Sequence, residues 1–209
     1  MKSFINSIPN EIRIIGFDLD GTLYDEFEFV SQAYQEVAKI ISKYVEIETA
    51  NVYSQLCQYW LKYGSSANIF QMVVEDNKGQ VNENLIKECV SAYRCCDFSM
   101  SISKRTEMTL DYLVEQEYKL FLITDGDSNL QRRKIKALSL ERWFDYRNIA
   151  ISGDYGRNKQ KPSTYMCKHV SVINECKGDV LYLGDRDIDE YFSKNSGFKF
   201  MYLKNMNIQ

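Results

Sequence analysis

Two aspartates separated by a single residue, Asp18 and Asp20, close the apolar run Ile12 to Leu19 and are followed at once by Gly21 and Thr22. A third acid, Asp185, follows the apolar stretch Val180 to Leu183 and a glycine. Thr124 ends YKLFLIT, and Lys161 stands immediately before Pro162. Carboxylates gathered in one place repel each other and are stable near neutral pH only with a cation or a shared proton. Magnesium suits such a set, since it takes hard oxygen ligands and usually one or two carboxylates together with a phosphate. A lysine and a hydroxyl nearby would hold the remaining phosphate oxygens. A carboxylate can also attack phosphorus to give an acyl phosphate that water then cleaves.

That chemistry requires elements that bring distant residues to one edge. Ile12 to Leu19 reads as a buried strand of a parallel sheet, apolar almost throughout. Tyr118–Thr124 reads as a second strand, Asn148–Ser152 as a weaker third, Val180–Leu183 as a fourth and Lys199–Leu203 as a fifth. A helix marked by Leu110, Leu113 and Val114 precedes the second strand. Another, capped by Asp127 or Ser128, runs through Leu130, Ile135 and Leu138. Pro162 is placed to open a further helix reaching about Cys176. Alternation of this kind predicts an α/β fold, a doubly wound, Rossmann-like parallel sheet with right-handed crossovers. Ligands bind such sheets beyond the carboxyl ends of the strands. Asp18, Asp20, Thr124 and Asp185 occupy those ends, and Lys161 lies in the loop after the third strand.

Between Asp25 and Cys96 the periodicity is helical. Phe29, Ala33, Val37, Ile40 and Ile41 recur at steps of three and four, as do Val52, Leu56, Tyr59, Trp60 and Tyr63. Ile69–Val74 and Leu85–Tyr93 continue the pattern, giving an all-helical insertion of about four helices at 25–97. The α/β core takes 1–24 and 98–209.

Composition narrows the partners. The 209 residues carry 26 basic and 29 acidic side chains, a net charge of −3 that offers no electrostatic attraction to nucleic acid. No run approaches the roughly 18 apolar residues of a membrane span, and the segment from Met1 to Ile15 lacks the apolar core of a secretory signal. The six cysteines form no C-x-x-C pair and His169 is the sole histidine, which argues against zinc. Reduced, mostly buried thiols, a cytoplasmic setting and a small phosphorylated metabolite as partner are the expectations. Oligomeric state and substrate identity are left open.

The ordered set resembles the haloacid dehalogenase-like hydrolases from about Ile12 to Leu203. Gly16-Phe-Asp-Leu-Asp-Gly-Thr-Leu-Tyr24 is similar to that family's first motif, Thr124 to its second, Lys161-Pro162 to its third and Gly184-Asp185-Arg-Asp-Ile-Asp189 to its fourth. The resemblance implies a phosphatase in which Asp18 is the nucleophile and Asp20 the general acid/base. Thr124 and Lys161 would bind the phosphoryl group. Mg2+ would be held by Asp18, the backbone carbonyl of Asp20 and Asp185, with Asp189 orienting its waters or adding a ligand. Asp187 and Glu190 are extra acids that could replace Asp189, and Lys159 is a rival to Lys161. The insertion corresponds to a helical cap that closes over the site and selects substrate. There Tyr59, Trp60, Lys62, Tyr63 and Arg94 are candidates, although aromatics at helical spacing are more often core. Arg157 and Lys159 are secondary phosphate candidates, and His169 reads as structural. A phosphomutase would use the same residues. Asp20 speaks against a dehalogenase proper, and a signalling receiver would carry its phosphorylated aspartate after a later strand. A non-catalytic phosphate-binding protein on this scaffold is disfavoured because no motif residue is missing.

Overall fold

The computed structural model describes residues 7–175 and 178–203. Its strands are β1 (Ile12–Phe17), β2 (Lys119–Thr124), β3 (Ile149–Ile151), β4 (Asp179–Gly184) and β5 (Lys199–Tyr202). They pair wholly in parallel, in the order β3-β2-β1-β4-β5. After β1 the chain builds outward through β2 and β3, then crosses back to lay β4 and β5 on the other side. The order therefore reverses beside β1, and the carboxyl ends of β1 and β4 flank the crevice where doubly wound sheets bind ligands. The apolar runs of β1 and β2 suit strands covered on both faces: only Arg13 and Lys119 among their residues are exposed.

Helices follow the same logic of period and cap. The chain supplies α1 (Glu26–Val45), α2 (Thr49–Tyr63), α3 (Ile69–Asp76), α4 (Glu83–Cys95), α5 (Lys104–Glu115), α6 (Ser128–Ala137), α7 (Ser171–Glu175) and α8 (Asp187–Ser196). Ser103 caps α5 by accepting the Thr106 N–H at 3.0 Å, and Asp127 caps α6 by accepting from Asn129 and Leu130, both at 3.1 Å. Under one face of the sheet Ile14, Phe121, Ile123, Tyr182 and Phe192 form the core with Met166 and Val170. The Tyr182 and Phe192 rings lie 5.0 Å apart, and Phe17 meets Phe144 edge-on at 5.8 Å. Burial of each such ring contributes about 1.5–3 kcal/mol, which makes β1 and β4 a rigid base for the residues that follow them.

The chain divides into two compact units, one taking it up to Glu26 and from Met100 onward, the other Phe27–Ser99. The second unit is helical. Tyr34 contacts Phe70 and Tyr93 at ring separations of 6.0 Å, tying α1 to α3 and α4, and Tyr93 also meets Phe29 at 5.2 Å. Tyr59 donates to the Asp76 carboxylate, and Asn77 donates to Gln55 at 2.6 Å. A cavity of about 300 Å³ opens inside this unit, with Trp60, Arg94, Tyr34, Phe70, Tyr93 and Asn68 among its walls. Two of the cap residues singled out from sequence, Trp60 and Arg94, thus line a cavity, whereas Lys62 lies over the exposed Tyr63 ring.

Two sequence expectations need correction. The helix from Pro162 to Cys176 is not continuous: the Lys161–Pro162 peptide is cis and Ser163 caps a 3₁₀ turn over Thr164–His169. Extended Val170 then separates that turn from α7. Packing explains the break, since Met166 and Val170 both turn into the core while Tyr155 stacks on His169 at 4.3 Å. Cys176 lies outside the described residues. Nor are the thiols mostly buried: of the described cysteines, all free, Cys89 and Cys96 are buried, Cys57 and Cys167 partly so and Cys95 exposed. No helix among the described residues is long and apolar enough to cross a membrane.

Candidate active site

The first strand ends at Phe17, and the ladder hands over to Asp18, whose N–H donates to the Leu183 carbonyl at 2.8 Å. That bond fixes Asp18 against the end of β4, with 1% of the residue exposed. A tight turn follows, closed by the Leu23 N–H on the Leu19 carbonyl at 3.0 Å. Gly21 is required there twice over. Its φ of +77° is left-handed, and a Cβ would stand 2.4 Å from Asp185 Oδ2. Across the crevice, a Cβ on Gly184 would come 2.4 Å from Asp189 Cβ, so the glycine before Asp185 lets α8 approach the strand.

Lys161 reaches this pocket from the far loop. Its Nζ stands 2.5 Å from Asp18 Oδ1 and 2.5 Å from Asp189 Oδ1, and 3.4 Å from the Tyr182 hydroxyl. The side chain is wholly buried, and its backbone N–H donates to Asp125, the residue after Thr124, at 3.2 Å. Burial acts to lower the Lys161 pKa, but Asp18, Tyr182, Asp189 and Asp125 outweigh it and hold the ammonium well above its ordinary range. Asp18, Asp185 and Asp189 each offer an oxygen within 4.8 Å of the others. Two cations, Lys161 and Arg186, the latter 3.9 Å from Asp185 Oδ1, do not balance three carboxylates. Burial, with the repulsion of Asp189, pushes Asp18 up to about 7 against the pull of Lys161. Asp185 rises to about 6, also chiefly through burial.

Two oxygens of this group, Asp18 Oδ2 and Asp185 Oδ1, are buried with no hydrogen-bond partner among the described residues. Unpartnered buried carboxylate oxygens are costly, and a small hard cation is the partner that such a pair accepts. The donor set fits a hard divalent cation. Asp189 differs: Oδ1 takes Lys161, and Oδ2 accepts the Arg186 N–H at 3.2 Å in the first turn of α8.

Asp20 has other company. Lys134 Nζ lies 2.6 Å from Oδ1, Gln131 Nε2 donates to Oδ2 at 2.7 Å, and the Tyr24 hydroxyl also donates to the carboxylate. The same Gln131 nitrogen stands 2.7 Å from Thr124 Oγ1. Burial would raise the Asp20 pKa, yet Lys134 and these donors hold it below the usual carboxylate range. Glu26 stands in the same field, pushed up to about 7 by burial and Asp20.

The structure therefore gathers Asp18, Lys161, Asp185 and Asp189 into one cluster and joins Asp20 to Thr124 through Gln131. It does not bring in the rival acids: Asp187 and Glu190 stand 2.9 and 2.8 Å from the exposed Tyr202 hydroxyl, whose single hydrogen goes to one or the other. Lys159 lies over the Tyr165 ring at 4.6 Å. The sequence reading missed Gln131, Lys134, Asp125, Tyr182 and Arg186. The Arg186 guanidinium feels Asp18, Asp189 and Asp185 strongly enough to overcome burial and raise its pKa. One signal was available. Gln131 and Lys134 fall three apart on a helix that starts just after Thr124, and both are buried.

Residues 15–203 match the haloacid dehalogenase-like hydrolase family. The chain belongs to that family. Among the relatives of this haloacid dehalogenase-like hydrolase, the human N-acylneuraminate-9-phosphatase is 27% identical, covering 95% of this chain and 84% of the human protein. The glyceraldehyde 3-phosphate phosphatase of Pyrococcus abyssi is 29% identical over 92% of this chain and 82% of its own length. A haloacid dehalogenase-family hydrolase of family IA, variant 3, from Entamoeba histolytica has a similar fold. It superposes with a TM-score of 0.63 at 14% identity, covering 95% of this chain and 86% of that one.

Proposed function

We propose that this hydrolase is a magnesium-dependent phosphatase that cleaves a small phosphorylated metabolite through a phosphoryl group carried on Asp18. The observation that carries the reading is the cluster of buried Asp18 and Asp189 on Lys161 with half-buried Asp185 beside them, in which two oxygens have no hydrogen-bond partner among the described residues. Family membership and the phosphatase relatives support a phosphoric monoester hydrolase. Asp18 Oδ2 and Asp185 Oδ1, with the backbone carbonyl of Asp20, would hold Mg2+. Bound there, the ion supplies charge neutralisation between an anionic nucleophile and an anionic phosphate. Asp189, with Oδ1 on Lys161 and Oδ2 on the Arg186 N–H, holds Lys161 in place and would add a ligand oxygen or orient the ion's water.

The steps follow from the residues. A phosphate monoanion binding beside Asp20 brings the proton that this carboxylate, ionised in the free protein, takes up. An Asp18 oxygen then attacks phosphorus, the bond to the ester oxygen breaks, and Asp20 passes that proton to the leaving oxygen. Lys161 and the Thr124 hydroxyl bind the non-reacting phosphoryl oxygens. Water then attacks the same phosphorus while Asp20 takes its proton, and inorganic phosphate leaves with Asp18 restored. The helical unit at 27–99 serves in this reading as a cap that excludes water and chooses substrate. Purified protein should release 4-nitrophenol from 4-nitrophenyl phosphate in the presence of magnesium, EDTA should stop it, and Asp18→Asn should not turn over. Near-normal rates from Asp18→Asn would show that the nucleophile lies elsewhere.

A further inference from the structure

We infer that Gln131 and Lys134, on α6, are positioning residues that orient the acid/base Asp20 and fix the direction of the Thr124 hydroxyl. The inference rests on the phosphatase reading and goes beyond it, because neither residue touches the nucleophile cluster. Both side chains are buried, with 1% of Gln131 and 3% of Lys134 exposed, although one is an amide and the other a cation. A buried lysine on the underside of a helix needs a strong compensating partner, and here that partner is Asp20 Oδ1 at 2.6 Å.

Gln131 has a narrower task. A primary amide has two hydrogens on its nitrogen, and Nε2 stands 2.7 Å from both Asp20 Oδ2 and Thr124 Oγ1, with the Asp125 carbonyl further off at 3.3 Å. Thr124 Oγ1 thus accepts from Gln131, which leaves its own hydrogen to be donated outward, toward a phosphoryl oxygen. One side chain sets the polarity of the phosphate-binding hydroxyl and holds the acid/base at a fixed distance from it. The Asp127 cap and the seating of Leu130 and Ile135 in the core keep α6 in register with the end of β2, so both contacts are rigid.

Lys134 and Gln131 thus bear on the reaction through Asp20 and Thr124, and the consequence is measurable. An alkyl phosphate needs a proton on its leaving oxygen, whereas 4-nitrophenyl phosphate does not. Lys134→Met should slow phosphoryl transfer from an alkyl phosphate by about 100-fold or more, the usual worth of a general acid. Transfer from 4-nitrophenyl phosphate should stay within about threefold, visible as a burst of nitrophenol ahead of a slowed steady state. Lys134→Arg should recover much of the loss. In an Asp20→Asn background, Lys134→Met should change rates by less than about threefold, since coupled residues are not additive. Gln131→Met serves as the second variant should Lys134→Met fail to fold, with the same leaving-group bias and an added weakening of phosphate binding. Wild-type leaving-group behaviour in these variants, or full additivity with Asp20→Asn, overturns the inference and leaves the phosphatase reading intact. A wild-type protein inactive on every phosphate ester removes that reading, and this inference with it.

Discussion

Asp18 and Asp20 are two residues apart on one turn, yet their surroundings are opposite in kind. Around Asp18, three carboxylates share the Lys161 ammonium and the Arg186 guanidinium, and two oxygens have no hydrogen-bond partner among the described residues. Around Asp20, one carboxylate is matched by one lysine, a glutamine amide and a tyrosine hydroxyl. The first region is incomplete in charge, which in the proposed reading a cation would complete. The second is complete within the protein. The contrast follows from which helix each one faces, and in the metal-free fold it runs against the proposed roles, raising Asp18 and lowering Asp20, so that a cation beside Asp18 and a phosphate beside Asp20 would have to reverse it.

The largest effects should separate the two aspartates. Asp18→Asn should lower turnover by more than about 10³-fold on every substrate, as loss of a nucleophile does. Asp20→Asn should lower steady-state turnover by about 10²–10⁴-fold while sparing the first step with aryl leaving groups. Equal losses at both steps for both variants would erase the distinction. Next comes stability. Lys161→Met strands Asp18 and Asp189 in a buried site, and urea unfolding should report a loss of about 3–5 kcal/mol, part of it restored by magnesium.

The dependence on pH sharpens the comparison further. The pKa values of Asp18 and Asp185 are raised in the fold to about 7 and about 6, so the folded protein binds more protons than the unfolded chain between about 4 and 7. Stability of metal-free protein should therefore fall as pH rises through that window. Magnesium should raise the thermal midpoint more at pH 8 than at pH 5, and a metal effect independent of pH would contradict the charge account. Gly21→Ala should cost at least about 1–2 kcal/mol for the left-handed backbone alone and weaken magnesium binding through the contact with Asp185. The smallest effect is expected of Asp187→Asn and Glu190→Gln, which should leave stability within about 0.5 kcal/mol and activity unchanged, because both acids face Tyr202.

Much of this was legible beforehand, for identifiable reasons. β1, β2 and β4 are nearly continuous apolar runs that end in polar residues, and parallel-sheet topology obliges those ends to meet. Asp18, Thr124, Lys161, Asp185 and Asp189 could be proposed on that basis together with the family motif. The segment after Pro162 misled because propensity speaks for one helix, while the packing of Met166, Val170 and the Tyr155–His169 stack imposes a 3₁₀ turn and a break. Gln131 and Lys134 went unread for a different reason. On a mostly polar helix their spacing of three gives only a shared face, and the partners that turn that face inward lie 111 and 114 positions away in the chain. Tyr182 was hidden the same way: in sequence it is a strand aromatic, and only the fold brings its hydroxyl to Lys161 and the Ile123 carbonyl.

The central claim is that phosphorus passes onto Asp18. Asp20→Asn mixed rapidly with 4-nitrophenyl phosphate and magnesium, quenched in acid and digested for mass spectrometry, tests it directly, since that variant should form the acyl phosphate and fail to hydrolyse it. The account predicts a phosphoryl group, labile to hydroxylamine, on the peptide bearing Asp18. Nitrophenol release with that peptide unmodified, or with phosphate on another residue, would contradict it.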